Sequence, residues 1–329
     1  MKLDYAFPPR GHKLERIRAF LAGLSLDWDD TIEQTVCLLE DDNIVATGSL
    51  RQNVLMCIGV DPTLQGEGLT ATIITELIKL AMEAGKLHLF LFTRPDNHKI
   101  FTSLGFYPVA ETGDVLLLEN RRDGIRRFVQ SLEQPSTHGV IASAVVNCNP
   151  FTNGHLYLIE KAAGECALLH LFVLSEDRSA FPAQVRLQLV RENTAHLPNV
   201  VVHPTADYLI SSATFPDYFL KDKAKASQVN CELDLIIFAR YFAQPMGITR
   251  RYVGSEPDCT TTAAYNRQMK KLLPPMGIEV VEIPRHEIEG QAVSASRVRA
   301  LLQEGRLKDI RPLVPPATFA YLERMTLHG

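Results

Sequence analysis

The sequence predicts an α/β chain of two domains, an α+β unit followed by a doubly wound parallel sheet, and three observations carry that prediction. Its 329 residues, at roughly 150 per domain, leave room for two. The first part of the chain holds short strand-like runs joined by tight polar turns, which imply antiparallel pairing. The second part alternates apolar strand-like runs with helix-like ones, which implies crossover connections and parallel strands.

In the first part, Thr35 to Leu39, Asn43 to Leu50 and Val54 to Val60 read as strands, separated by the turn-like 40–43 and 51–53. After Gln65-Gly66-Glu67-Gly68, the residues Leu69, Ile73, Leu77 and Leu80/Ala81 recur at helical spacing, and Ala84-Gly85 ends that helix. A strand from Leu87 to Phe92, a short helix from Asn97 to Ser103 and a last pair of strands close the unit. The composition breaks at 119–124 and again at 131–136, bracketing an amphipathic segment with Ile125, Phe128, Val129 and Leu132 on one side. Residues 1–120 therefore read as one domain, 121–137 as a connecting helix and linker, and 138–329 as a second domain. There, strands are expected at Val140–Val146, Ala167–Leu174, Val200–His203, Thr249–Val253 and Ile278–Ile283. Helices are expected at Gly154–Ala163, Pro182–Ala195, Leu233–Phe242 and Tyr265–Leu272, with a last one starting near Ser294. In such a sheet, ligands sit at the carboxyl ends of the strands, so chemistry belongs in the loops after Val146, Leu174, Val253 and Ile283.

Composition excludes several classes. With 46% hydrophobic against 22% charged residues the chain is not disordered. Thirty-four Lys plus Arg against 38 Asp plus Glu lacks the basic excess that phosphate-backbone binding needs, so no nucleic acid is expected as partner. The start, residues 1–9, carries an early acid and two prolines where an export signal needs an uninterrupted apolar run, which predicts a cytoplasmic protein. Gln134 to Ile159 contains no Asp, Glu, Lys or Arg, yet Pro135, Asn147, Asn149, Pro150 and Asn153 fit a buried strand entering a polar loop better than a membrane span. The six cysteines form no CxxC pair, so neither disulfides nor zinc is expected.

The run Asn147-Cys148-Asn149-Pro150-Phe151-Thr152-Asn153-Gly154-His155 leaves the first strand of the parallel sheet and enters its first helix. Free N–H groups at that helix start favour a phosphate, Gly154 permits close approach, and His155 can donate to the same anion. Taken alone, the same residues also describe an N-cap Thr, a turn Gly and a solvent-exposed His. A second hydroxyl- and guanidinium-rich segment, Val293-Ser294-Ala295-Ser296-Arg297-Val298-Arg299, opens the last long helix and makes a second anion site.

Together the two segments resemble the T/H-x-G-H loop and the I/V-S-x-S/T-x-x-R segment of the nucleotidyltransferase superfamily, which implies a Rossmann-like domain holding a nucleotide triphosphate. The runs 173–182, 208–221, 251–257, 265–270 and 282–285 extend this into a resemblance to the citrate lyase ligases over the whole second domain. That resemblance implies ATP, acetate and a thiol reacting to give AMP, pyrophosphate and an acetyl thioester, by way of acetyl-adenylate. The thiol would be that of the dephospho-CoA-derived prosthetic group on the acyl-carrier subunit of citrate lyase. It also implies that Thr152, Gly154 and His155 contact the α- and β-phosphates, with Asn147, Asn149, Pro150 and Phe151 in the same loop. Ser294, Ser296 and Arg299 would contact the β- and γ-phosphates, and Arg178 stands where many superfamily members have Lys. Gly254 and Glu256 are candidate adenosine contacts, with a solvated surface turn as the equal alternative; Lys221 is a candidate for acetate or a phosphate, with a solvated Lys as its alternative. Such chemistry needs positioned donors rather than a nucleophile, and Mg2+ would arrive with the nucleotide, because no carboxylate cluster offers to bind it alone.

In the first domain, Gln65-Gly66-Glu67-Gly68-Leu69-Thr70 resembles the pyrophosphate loop of the GNAT family of N-acetyltransferases, and Asn97 with Leu104-Gly105-Phe106 resembles its second motif. Thr70 departs from the expected small residue. The implied fold is a GNAT-like α+β domain, and Gln65, Gly66, Gly68, Thr70 and Asn97 are expected to hold the CoA-like arm of the carrier; a plain strand-to-helix turn is the other reading of that loop. Two further readings stand beside the ligase: a nucleotidyltransferase for a phosphorylated small molecule fused to a working acetyltransferase, and a non-catalytic regulator that senses acetyl-CoA.

Overall fold

The structure, a computed structural model, describes residues 1–176, 179–210, 231–256, 260–288 and 290–328. Two compact units emerge, one over residues 1–127 with 231–233 and the other over the described residues of 128–210 and 234–328.

The first unit runs β1 (Lys2–Ala6), α1 (Gly11–Gly23), β2 (Gln34–Glu40), β3 (Asn43–Arg51), β4 (Val54–Val60), α2 (Leu69–Glu83), β5 (Phe90–Thr93), α3 (His98–Ser103), β6 (Tyr107–Glu111) and β7 (Leu116–Glu119). Its seven-stranded sheet has the order β1-β2-β3-β4-β5-β7-β6, antiparallel except where β4 meets β5. Buried Ile73, Ile74, Leu77 and Ala81 on one face of α2 close over Val36, Ala46, Leu50 and Leu55 of the sheet. The two parallel strands pair only at Val54↔Phe90 and Leu55↔Leu91, then diverge. A cavity opens where they part.

Two elements here differ from the expectation. β1 and α1 were not legible in the sequence: α1 buries only Ile17 and Leu21, no side chain caps its start, and so thin a stripe leaves little periodicity to read. β5 begins at Phe90 rather than Leu87, because the Asn120 amide holds Leu87 O and the Leu89 N–H, so a side chain takes the place of a strand partner.

A helix, α4 (Gly124–Ser131), leads on to β8 (Ile141–Val146), α5 (Asn153–Gly164), β9 (Leu168–Val173), α6 (Ala183–Thr194) and β10 (Val200–Pro204). After residue 230 come α7, helical through residues 231–246 with a π-helical stretch at Phe238–Ala243, then β11 (Arg250–Gly254), α8 (Thr260–Leu272) and β12 (Glu279–Ile283). A small hairpin, β13 (Glu287–Ile288) and β14 (Gln291–Ala292), precedes α9 (Ala295–Gln303), α10 (Leu307–Ile310) and α11 (Pro316–His328). The five strands lie in the order β10-β9-β8-β11-β12, all parallel, as the strand–helix alternation predicts. Every residue of β9 is buried, which suits a strand covered by helices on both faces. The order reverses beside β8, so the crevice for a ligand lies between the loops that follow β8 and β11.

Candidate active site

Thr152 leaves β8's loop in extended conformation and caps α5. Its hydroxyl accepts the His155 N–H at 3.4 Å, and its own N–H donates to His155 Nδ1 at 3.0 Å. This reciprocal arrangement is a capping box with a histidine in the third helical position. Because Nδ1 accepts, the imidazole proton belongs on Nε2. Burial, followed by the charge of Arg285, lowers the His155 pKa to about 4, so at neutral pH the ring is an uncharged Nε2–H donor.

The opposite wall comes from the start of α9, where the Ser294 hydroxyl accepts the Arg297 N–H at 3.2 Å. The two segments touch. A Cβ on Gly154 would stand 2.7 Å from Val293 O, so only glycine lets α5 and the strand leading to α9 approach this closely. Arg299 Nη1 donates to Asn149 O at 2.5 Å and Nη2 to Ser296 Oγ at 2.9 Å, tying the second segment to the first. Between them lies a cavity of about 360 Å³ whose wall includes Thr152, Gly154 and His155 on one side and Ser294 and Ser296 on the other.

Asn147, Gly254 and Glu256 line the same cavity. Glu256 is ion-paired with Arg285, whose N–H and Nε bond Ser255 Oγ and Ser255 O, and Asn266 Nδ2 donates to Gly254 O at 2.9 Å. Other residues expected at the nucleotide have the following places in the fold. Phe151 is fully buried in the core beneath α5 and Pro150 is buried too; neither side chain is on the cavity wall, because the loop needs an apolar anchor. The Asn149 amide oxygen is taken by the Phe181 N–H, and Arg299 acts as a tie rather than as part of the wall. Arg178 and Lys221 lie outside the described residues.

Sequence reasoning missed three arginines. Arg285 and Arg251 line the cavity, and Arg285 had a signal in its place just after Ile283. Arg186 had none: it reads as a surface charge on α6, yet it is fully buried and donates to Asn147 O, Asn147 Oδ1, Leu174 O and Phe181 O. It thereby fastens the loops after β8 and β9 together. Among the described residues, no group of three or more His, Cys, Asp or Glu side chains gathers as a metal site.

In the first unit, the cavity between the diverging ends of β4 and β5 measures about 250 Å³ and is walled in part by Gln65, Asn97, Thr93 and Gly59. Asn97 Nδ2 donates to Thr93 Oγ1 at 2.8 Å. Gly66, Gly68 and Thr70 do not reach that wall; Gly68, with φ +77°, turns the chain into α2, and Thr70 lies in the first turn of that helix. Among the described residues no helix is long and apolar enough to cross a membrane.

Residues 4–106 match the acetyltransferase (GNAT) family, and residues 141–322 match the citrate lyase ligase C-terminal domain. The [citrate [pro-3S]-lyase] ligase of Escherichia coli (strain K12) is 40% identical over 326 residues, covering 96% of this chain and 92% of that protein. The protein of the same name from Klebsiella pneumoniae is 41% identical, covering 94% and 93%, and that from Haemophilus influenzae is 39% identical, covering 95% and 96%. With a doubly wound C-terminal unit, a GNAT-like N-terminal unit and this identity over nearly its whole length, the chain belongs to the citrate lyase ligase family.

Proposed function

We propose that this protein is an ATP-dependent acid–thiol ligase that acetylates the prosthetic-group thiol on the acyl-carrier subunit of citrate lyase. The family membership supports the ligase class, and one observation supports the site: the Thr152–His155 turn and the Ser294–Ser296 helix start face a single cavity. In the first half-reaction an acetate oxygen bonds to the α-phosphorus, the bond from that phosphorus to the bridging oxygen breaks, and pyrophosphate leaves with the electron pair. In the second, the thiolate sulfur attacks the acetyl carbon and the C–O bond to AMP breaks, the thiol proton passing to solvent.

The cavity fits a polyphosphate by its donors. His155 offers a neutral Nε2–H, the starts of α5 and α9 both line the wall, and the Arg285 guanidinium, paired with Glu256, lies on it too; such positioned donors stabilise charge as it develops on the leaving oxygens. Mg2+ would come with the nucleotide, held by its phosphates, and would supply charge neutralisation there. The first unit holds the carrier's CoA-like arm, with Gln65 and Asn97 on its cavity wall and Gly66, Gly68 and Thr70 in the adjoining loop. A dephospho-CoA titration of a Gly66/Gly68 double substitution tests that role; full thiol transfer by that variant removes it.

The deciding experiment is exchange of labelled pyrophosphate into ATP. Exchange that requires acetate is expected. Exchange that requires a phosphorylated acceptor instead, or none at all, rejects the ligase.

A further inference from the structure

Arg251 sits on β11 with 1% exposure, and among the described residues its Nε and Nη1 have no hydrogen-bond partner. A guanidinium cannot escape burial by losing its proton, so these donors remain charged and unsatisfied. Around it, Tyr265 OH accepts from its Nη2 at 3.5 Å, the Phe238 ring lies 4.2 Å from its Cζ, and its charge acts on the buried Asp234 carboxylate, which itself accepts Tyr265 OH at 2.5 Å and the Ile210 N–H at 2.7 Å. One strand away, on β8 in register with Arg251, the buried Ser143 Oγ is likewise without a partner among the described residues. Arg251, Ile210, Tyr265 and Met269 line the cavity that also holds the two anion-binding helix starts. Ile210 keeps φ +44°, a conformation costly for a β-branched residue, and Asp234 bonds its N–H in that position.

We propose that Arg251 is the seat of the acid substrate, binding the carboxylate of a short aliphatic monocarboxylate whose carbon chain lies against Ile210 and Met269. This rests on the ligase reading and adds the residue that receives the acid. The neighbours of Arg251 on the cavity wall include the apolar Ile210 and Met269, whereas the helix starts that suit phosphate are other residues of that wall, 152–155 and 294–296, so the proposal gives the two anions different partners in one cavity.

The test uses the full chain. Thermal melting is followed as sodium acetate, propionate, inorganic phosphate or chloride is added at constant ionic strength, for wild type, Arg251→Met and Arg251→Lys; acetate-dependent exchange is measured on the same preparations. Arg251→Met keeps the stem and removes the donors, and Arg251→Lys keeps a charge in the core should the first variant not fold. Acetate is expected to raise the wild-type melting temperature more than chloride does, phosphate to stabilise wild type and variants alike through the helix starts, and the variants to lose only the acetate response. The KM for acetate should rise about tenfold or more, while the KM for ATP stays within about twofold. A folded variant with wild-type KM and wild-type acetate response overturns the proposal, as does a phosphate response that vanishes with Arg251. An Arg251-dependent acetate response in a chain without acetate-dependent exchange upholds this seat and rejects the ligase reading.

Discussion

At the scale of the residue, the protonation of His155 governs what it can do. Its folded pKa of about 4 lies below the usual value near 6.5, so the ring is neutral across the physiological range. Exchange activity should therefore show no step near pH 6.5 from this group, and His155→Ala should lower it by about 10²- to 10³-fold, the loss typical of one oriented donor. Buried His170 and His203 share a hydrogen bond of 2.9 Å, and burial lowers their pKa values to about 4 and about 3. The sign follows from linkage: between these values and about 6.5 the unfolded chain binds protons that the folded chain refuses, so stability rises with pH in that window and is lost as pH falls through it. Urea unfolding at pH 7.5 and pH 5.0 checks this; equal midpoints at the two values contradict it, and replacing His203 by Phe should shrink the difference. Arg186 belongs at this scale too. Arg186→Ala strands several buried carbonyls and should cost about 3 kcal/mol or more in an unfolding titration.

At the scale of the element, two glycines make opposite predictions. Gly154→Ala would push a Cβ into the Val293 carbonyl, which is backbone and cannot swing away, so the variant should lose about 1–3 kcal/mol of stability together with ATP binding. Among the described residues nothing lies within 4 Å of a would-be Cβ on Gly254, so Gly254→Ala should melt like the wild type and change only what enters the cavity. Unequal stability losses in that order check the packing of α5 against the approach to α9. Much of this was legible: β9 is an apolar run broken only by His170, α2 has a clean stripe, and both helix starts carry hydroxyl signals, the first with a glycine beside them. The rest was not, for a physical reason. An arginine in a strand or a helix reads the same whether it is solvated or buried, and only tertiary placement separates Arg186 and Arg251 from the surface charges around them. Closeness in sequence to a phosphate-binding turn likewise does not say which side chains turn inward, as Phe151 does to the core and as the buried Pro150 does.

At the scale of the whole molecule, each unit carries its own core and its own cavity, one walled by diverging strands and the other by two helix starts at a topological switch point. The chemistry proposed for the second unit stands on the claim that one triphosphate bridges both of its helix starts. Calorimetric titration of ATP into the full chain tests this most directly, with His155→Ala from one segment and Ser296→Ala from the other. Both variants should fold as the wild type does and bind ATP about tenfold more weakly, each having lost a donor to the same anion. Wild-type affinity in either folded variant would mean that the nucleotide meets only one of the two segments, and the account would be wrong at its centre.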